Sequence, residues 1–220
     1  MGAIIWDWNG TLLNDLELCI STINVLLEKR NLQQLGKTSY KEVFAFPVKD
    51  YYEAVGFDFT NEDFSAPAKE FIDLYNENVI NCSLHDATIS VLSWFQSHGI
   101  KQYVLSAMKH DMLVKTLKQQ HIFHFFEGVG GLNDHYAVSK IERGNQLIAD
   151  FNIPRNKTWM IGDTIHDFEV AEELNLKCLL VADGHQSYER LEKTGVRVFK
   201  KLENLIQPEN QHLFLNQHPY

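Results

Sequence analysis

The apolar positions change period along the chain. From Ala3 to Trp8 they run on, interrupted only by Asp7, as in a strand buried on both faces. Leu16, Ile20, Ile23 and Leu27 then recur at helical spacing, with Asn14 or Asp15 where an N-cap belongs. Ser39-Tyr40-Lys41-Glu42 has capping-box order and predicts a short helix that Pro47 stops. Asp50 to Val55 predicts another, closed by Gly56. Phe64, Ala68, Phe71, Ile72, Tyr75 and Val79 predict a longer one. Residues 14–83 therefore read as helical throughout, with no strand candidate.

After that the periods alternate. Ile89, Leu92 and Phe95 mark a helix that Gly99 ends. Strands are predicted at Lys101–Ser106, at Phe125–Val129 before Gly130-Gly131, at Thr158–Gly162, at Lys177–Ala182 and at Val196–Phe199. Helices are predicted between them at Asp111–Gln119, Ile141–Phe151 and Ile165–Leu174. Strands alternating with helices imply an α/β fold, a parallel sheet with helices on both faces. The first strand belongs to that sheet, so the helical stretch is an insertion behind it. The expected division is a core of residues 1–13 and 84–220 and an all-helical unit of residues 14–83. The polar tail from Gln207 to Tyr220 is expected to be loosely held.

Composition narrows the partners. The chain is 45% hydrophobic and 12% aromatic, enough for a substantial core, and its net charge of −9 disfavours nucleic acid and anionic membrane. No apolar run is long enough to span a bilayer, and no basic-then-apolar leader opens the chain. Cys19, Cys82 and Cys178 form neither a CxxC pair nor a zinc pattern, so they read as reduced thiols of a cytoplasmic protein.

The polar residues at the strand ends carry the chemistry, because ligands of open parallel sheets bind there. The first strand runs into Asp7-Trp8-Asn9-Gly10-Thr11. The next ends at Ser106-Ala107. Lys140 opens a helix, and a later strand ends in Gly162-Asp163-Thr164-Ile165-His166-Asp167. Carboxylates gathered at one edge need a cation, and hard oxygen donors in small number suit Mg²⁺ shared with a phosphate.

In this order and spacing the motifs resemble those of the haloacid dehalogenase superfamily, over essentially the whole chain, and most nearly its phosphoglycolate phosphatase-like branch. The resemblance implies a Rossmann-like sheet with a helical cap inserted after the first strand. It also implies a Mg²⁺-dependent hydrolase of a small phosphorylated metabolite. Asp7 is then the nucleophile that forms an aspartyl-phosphate. Ser106 and the amide of Ala107, at a helix start, hold phosphate, Gly10 lets the backbone approach it, and Lys140 neutralises its charge. Asp7, Asp163 and the carbonyl of Asn9 bind the metal, with Asp167 as a ligand or as a holder of its waters.

One position departs from the pattern. The family's phosphatases carry an acid–base aspartate two residues after the nucleophile, and here that residue is Asn9. An amide has no titratable proton. Several readings stay open. The enzyme is a slow phosphatase, or its substrate has a good leaving group, such as an acyl or aryl phosphate. Another base serves, His166 being nearest by motif position. Or the protein is a catalytically weak regulator that binds phosphorylated ligands. A phosphonatase-type hydrolase with Lys49 as its amine is a further alternative. Dehalogenation is disfavoured because the acidic loop is kept. Trp8, Phe44, Phe46, Tyr51 and Tyr52 are expected either to line the inner face of the cap or to form its core.

Overall fold

The computed structural model describes residues 2–132 and 139–215. Six parallel strands form one sheet: β1 (Ala3–Trp6), β4 (Lys101–Lys109), β5 (Gly128–Leu132), β6 (Thr158–Gly162), β7 (Lys177–Val181) and β8 (Arg197–Phe199). Their spatial order is β5-β4-β1-β6-β7-β8, so β1 is central, hydrogen-bonded to β4 on one side and β6 on the other. The chain order reverses at β1, the kind of switch point beside which ligands sit.

Both faces of β1 are buried, which is why its sequence does not alternate. Ile4 and Trp6 point into a core shared with α5 (Thr88–Ser97) and α6 (His110–Gln119). Ala3 and Ile5 point into the opposite core with α7 (Lys140–Phe151) and α8 (Ile165–Glu173). Within the first core the Trp6 indole donates to Gln102 Oε1 at 3.1 Å, and Gln102 donates on to the Leu92 carbonyl at 3.0 Å. Two buried polar groups are thereby satisfied at once.

Between β1 and α5 lie α1 (Leu16–Lys29), α2 (Lys37–Val43), α3 (Val48–Ala54) and α4 (Ser65–Asn78). The expectation of no strand in this stretch is corrected. Leu13–Asn14 (β2) and Ser83–Leu84 (β3) pair antiparallel, a two-residue ribbon at the root of the insertion. Such strands are too short to show a period. The insertion shares its core with the sheet: Trp8, Leu12, Tyr40, Tyr51, Tyr52 and Tyr75 all belong to one buried apolar cluster.

Several boundaries move. Helix α2 starts at Lys37, and Ser39 is its third residue, receiving the Gly36 amide at 3.0 Å rather than opening the helix. Gly130 and Gly131 lie inside β5, and Phe123–Phe125 is a 3₁₀ turn before it. Part of the tail is anchored: α9 (Tyr188–Leu191) and β8 are followed by α10 (His212–Leu215), whose Phe214 is buried against Phe95 and Trp159. Residues 216–220 lie outside the described residues. Among the described residues no helix is long and apolar enough to cross a membrane.

Candidate active site

The turn after β1 is set by local hydrogen bonds. The Asp7 amide extends the ladder to the Ile161 carbonyl at 2.8 Å. The Leu12 and Leu13 amides then fold back onto the Trp8 carbonyl, at 3.1 and 2.9 Å. Gly10 takes φ +77° in this turn. A Cβ there would strike the Asp163 carboxyl and the His185 ring, so glycine is required by space as well as by conformation.

Lys140 and Asp167 are delivered by helix starts. Ser139 caps α7 and Thr164 caps α8, each in a reciprocal capping box, with Glu142 and Asp167 as the third residues. Lys140 Nζ bridges Asp7 Oδ1 at 2.6 Å and Asp167 Oδ1 at 2.7 Å. Asp167 Oδ2 accepts from the Thr164 hydroxyl at 2.7 Å and from the amides of Thr164 and Asp163. Asp163 accepts from the Thr11 hydroxyl at 2.9 Å and from the His185 amide at 2.6 Å. Carboxylate oxygens of Asp7, Asp163 and Asp167 all lie within 4.8 Å of one another, and all three residues are buried.

Charge in this cluster is out of balance. Burial, then the neighbouring carboxylates, raise Asp7 above the ordinary carboxylate range, with Lys140 pulling the other way. Burial pushes Asp163 up to about 6, against the pull of His185. Only Asp167 of the three stays below its usual value: burial pushes it up, but the Lys140 ammonium together with the Thr164 hydroxyl pulls it down further. Three buried carboxylates against one ammonium form a donor set that a cation would complete.

Ser106 stands apart from its predicted setting. Strand β4 does not end at Ser106-Ala107 but runs to Lys109, with its register to β5 broken between Leu105 and Lys109. Helix α6 begins at His110, so the Ala107 amide is not at a helix start, and Ala107 is exposed. Ser106 lies within this break and faces Asn9, in the turn after β1. Its hydroxyl donates to Asn9 Oδ1 at 3.1 Å and receives the Met108 amide at 3.0 Å.

A second buried cluster lies on the other side of Asn9. Asp15 precedes α1, but its side chain caps nothing there. Its Oδ2 accepts from Asn9 Nδ2 at 2.9 Å and from the Tyr75 hydroxyl at 2.6 Å. Its Oδ1 accepts from the Gly10 amide at 2.8 Å and faces His185 Nε2 at 3.2 Å. Tyr40 reaches the other ring nitrogen of His185 at 3.1 Å. Asp15 lifts His185 to about 9 although burial alone would lower it, and His185 holds Asp15 below its usual value. Cys19 completes a buried Asp15–Cys19–His185 trio. That trio does not fit a metal: the Asp15 oxygens are already taken by donors, and burial keeps the Cys19 thiol protonated.

The remaining candidates fall outside these clusters. His166 stacks on Phe46 with ring centroids 4.6 Å apart and pairs with Glu169. Lys49 is 52% exposed beside Glu53. Tyr51, Tyr52 and Trp8 are packed into the core, Phe44 packs against it, and Phe46 alone of that group is exposed. Sequence reasoning missed Thr11, Tyr75 and His185. For His185 a signal was available, since Gly184-His185-Gln186 follows the end of β7 at the same sheet edge.

A family model described as "Haloacid dehalogenase-like hydrolase" matches residues 4–181. The chain belongs to that family of hydrolases. It is 21% identical over 197 residues, 87% of this chain and 86% of the other, to a Caldanaerobacter subterraneus protein named "Putative pyrophosphatase PpaX". Among solved structures, a haloacid dehalogenase-like hydrolase from Streptococcus pneumoniae superposes with TM-score 0.78 at 20% identity, over 93% of this chain and 97% of that one. A structure from Lactobacillus delbrueckii, titled a "putative phosphoglycolate phosphatase", gives 0.76 at 16% identity over 98% of both chains. These likenesses establish the fold, which agrees with the α/β sheet and helical insertion expected from the sequence.

Proposed function

We propose that this hydrolase is a Mg²⁺-dependent phosphatase of small phosphorylated metabolites, acting through an aspartyl-phosphate on Asp7. The observation that carries the reading is Lys140 Nζ bridging Asp7 and Asp167 beside Asp163, all buried at the ends of β1 and β6. Asp7, Asp163 and the Asn9 carbonyl would hold the metal, with Asp167 fixed beside it by Lys140 and Thr164. Bound Mg²⁺ would supply the positive charge that lets a carboxylate approach a phosphodianion.

The chain's own residues do the rest. A carboxylate oxygen of Asp7 attacks phosphorus, the bond from phosphorus to the leaving oxygen breaks, and water then hydrolyses the acyl phosphate. Lys140 neutralises charge on the phosphoryl group, and Ser106 and Ala107 bind its oxygens from β4. Residues 14–83 act as a cap over this edge, excluding water. The loop after β7 and α9 hold it: Arg190 of α9 donates to the Lys41 and Phe44 carbonyls at 2.8 and 2.7 Å, and Gln186 of the loop to that of Phe44 at 2.9 Å.

Asn9 supports a narrower substrate class. With no proton to give at that position, the site favours leaving groups that depart as stable anions. Aryl phosphates, acyl phosphates and pyrophosphate meet that condition, and the relative's name points to the last of these. The test is phosphate release with Mg²⁺ from an aryl phosphate, pyrophosphate and phosphoglycolate side by side. Release from the first two well above the third is expected. No Mg²⁺-dependent release from any of them, in a folded protein, would overturn the phosphatase reading in favour of a phospho-ligand-binding regulator.

A further inference from the structure

Position 9 is neutral for a reason the second cluster supplies. The Asn9 amide has a fixed orientation: its oxygen accepts from Ser106 Oγ at 3.1 Å, and its nitrogen donates to Asp15 at 2.9 Å and to Tyr75 at 2.7 Å. Asp15 is 1% exposed, and its charge is held by the Gly10 amide, His185, Tyr75 and Asn9. A carboxylate at position 9 would meet the Asp15 oxygen where a hydrogen bond now lies, with no proton between the two anions. We propose that Asp15 is a positioning residue of the reaction site: its buried carboxylate orients Asn9 toward Ser106, and asparagine at position 9 is an adaptation to Asp15 rather than the loss of an acid.

The cluster is also a joint between the sheet and the insertion. Tyr75 comes from α4 and Tyr40 from α2, while His185 comes from the loop after β7. All three meet Asp15 directly or through one ring. Orientation of Asn9 is thus tied to the seating of two insertion helices.

The network can be reversed without losing a bond. With carboxylate and amide exchanged, Asp at 9 still accepts from Ser106, and Asn at 15 donates where Asn9 now does. Asn at 15 still accepts from Gly10 and His185 through its oxygen. The Tyr75 hydroxyl, which now accepts from Asn9 and donates to Asp15, turns to do the opposite. Net charge is unchanged.

The activity arm of the test rests on the phosphatase reading; the stability arm does not. Wild type, Asn9→Asp, Asp15→Asn and the double exchange are compared in thermal midpoint and in Mg²⁺-dependent kcat and KM on an aryl phosphate. Each single variant is expected to lose midpoint and to lose at least about tenfold in kcat, with KM moving less. The exchange is expected to recover most of the midpoint and to bring kcat within about threefold of wild type or above it. Recovery of kcat separates positioning from packing, since a packing role restores the midpoint alone. Asn9→Asp raising kcat at an unchanged midpoint, or losses that simply add in the double variant, would overturn the proposal. Where Asp15→Asn does not fold, a folded and active double exchange supports it, and an unfolded one overturns it. Where wild type releases no phosphate, the phosphatase reading fails on its own and the midpoints still decide the pairing.

Discussion

Two buried carboxylate clusters flank Asn9 and Gly10, and they are solved in opposite ways. Around Asp7, three carboxylates share one ammonium, and burial raises two of the three above their ordinary range. Around Asp15, one carboxylate is met by an amide nitrogen, a backbone N–H, a phenol and an imidazolium, and stays below its ordinary range despite complete burial. The first arrangement is costly as it stands and gains from a cation. The second is complete. Unsatisfied charge marks the place for chemistry, and satisfied charge marks the scaffold that aims it.

The largest effect separates the clusters by activity. Asp7→Asn keeps an oxygen for Lys140 and an amide for Thr11, so the fold should survive while the proposed nucleophile is gone. Phosphate release is expected to fall by at least about 10³-fold. An active Asp7→Asn protein would remove Asp7 from the nucleophile's role and the proposed mechanism with it.

Stability should then separate them by sign. Asp15→Asn puts an amide against the Tyr75 and Asn9 donors and removes the negative charge that faces His185, for a loss of about 3 kcal/mol. In metal-free protein, Asp7→Asn removes one of three crowded carboxylates and should gain about 1 kcal/mol. Denaturant melts in a chelator read both. Two losses of similar size would mean that the Asp7 cluster is balanced without a cation, and the contrast would fail.

The pH dependence follows from the same pair. His185 is lifted from 6.5 to about 9 by Asp15, so its contribution is full below pH 6.5 and is lost as pH rises toward 9. That window corresponds to about 3 kcal/mol. Asp15, lowered by its partners, adds stability that persists above its unfolded value of 3.8 and disappears only on acidification. The stability difference between wild type and His185→Gln is therefore expected to be widest near pH 6 and to narrow by pH 9. A difference that does not change across this range would mean that the ring is not held as an imidazolium.

How much of this was legible depends on the range over which each signal acts. The sheet and its helices declared themselves through period, as β1, β6 and α7 show. Asp7, Lys140, Asp163 and Asp167 declared themselves through order along the chain, and they do meet. Asp15 did not. An acidic residue before an apolar helix resembles an N-cap, and only tertiary structure brings Tyr75 and His185 to it. Ser106 was placed at a strand end because the register break in β4 leaves no mark in composition. The ribbon of β2 and β3 escaped because two residues carry no alternation.

Magnesium gives the next measurement. At a Mg²⁺ concentration about 100 times its Kd, wild type should gain about 2.7 kcal/mol, and Asp163→Asn should gain little. Equal gains in both proteins would place the cation elsewhere, away from the Asp7 cluster.

The smallest effect is expected at His166, which motif position alone made a candidate base. Its ring stacks on Phe46 at an interplanar angle of 26°, and its Nδ1 faces Glu169 at 3.3 Å. Both partners lie on the seam between the insertion and α8, and neither belongs to the Asp7 or the Asp15 cluster. His166→Gln keeps a polar side chain while removing the titrating ring. Turnover should change by less than about twofold, within the range of a lost surface contact. General acid–base help is worth about 10²–10⁴-fold, so the two roles are well separated in size. A fall of that order in kcat, with the thermal midpoint unchanged, would bring His166 into contact with substrate and give the site the proton carrier that Asn9 cannot be.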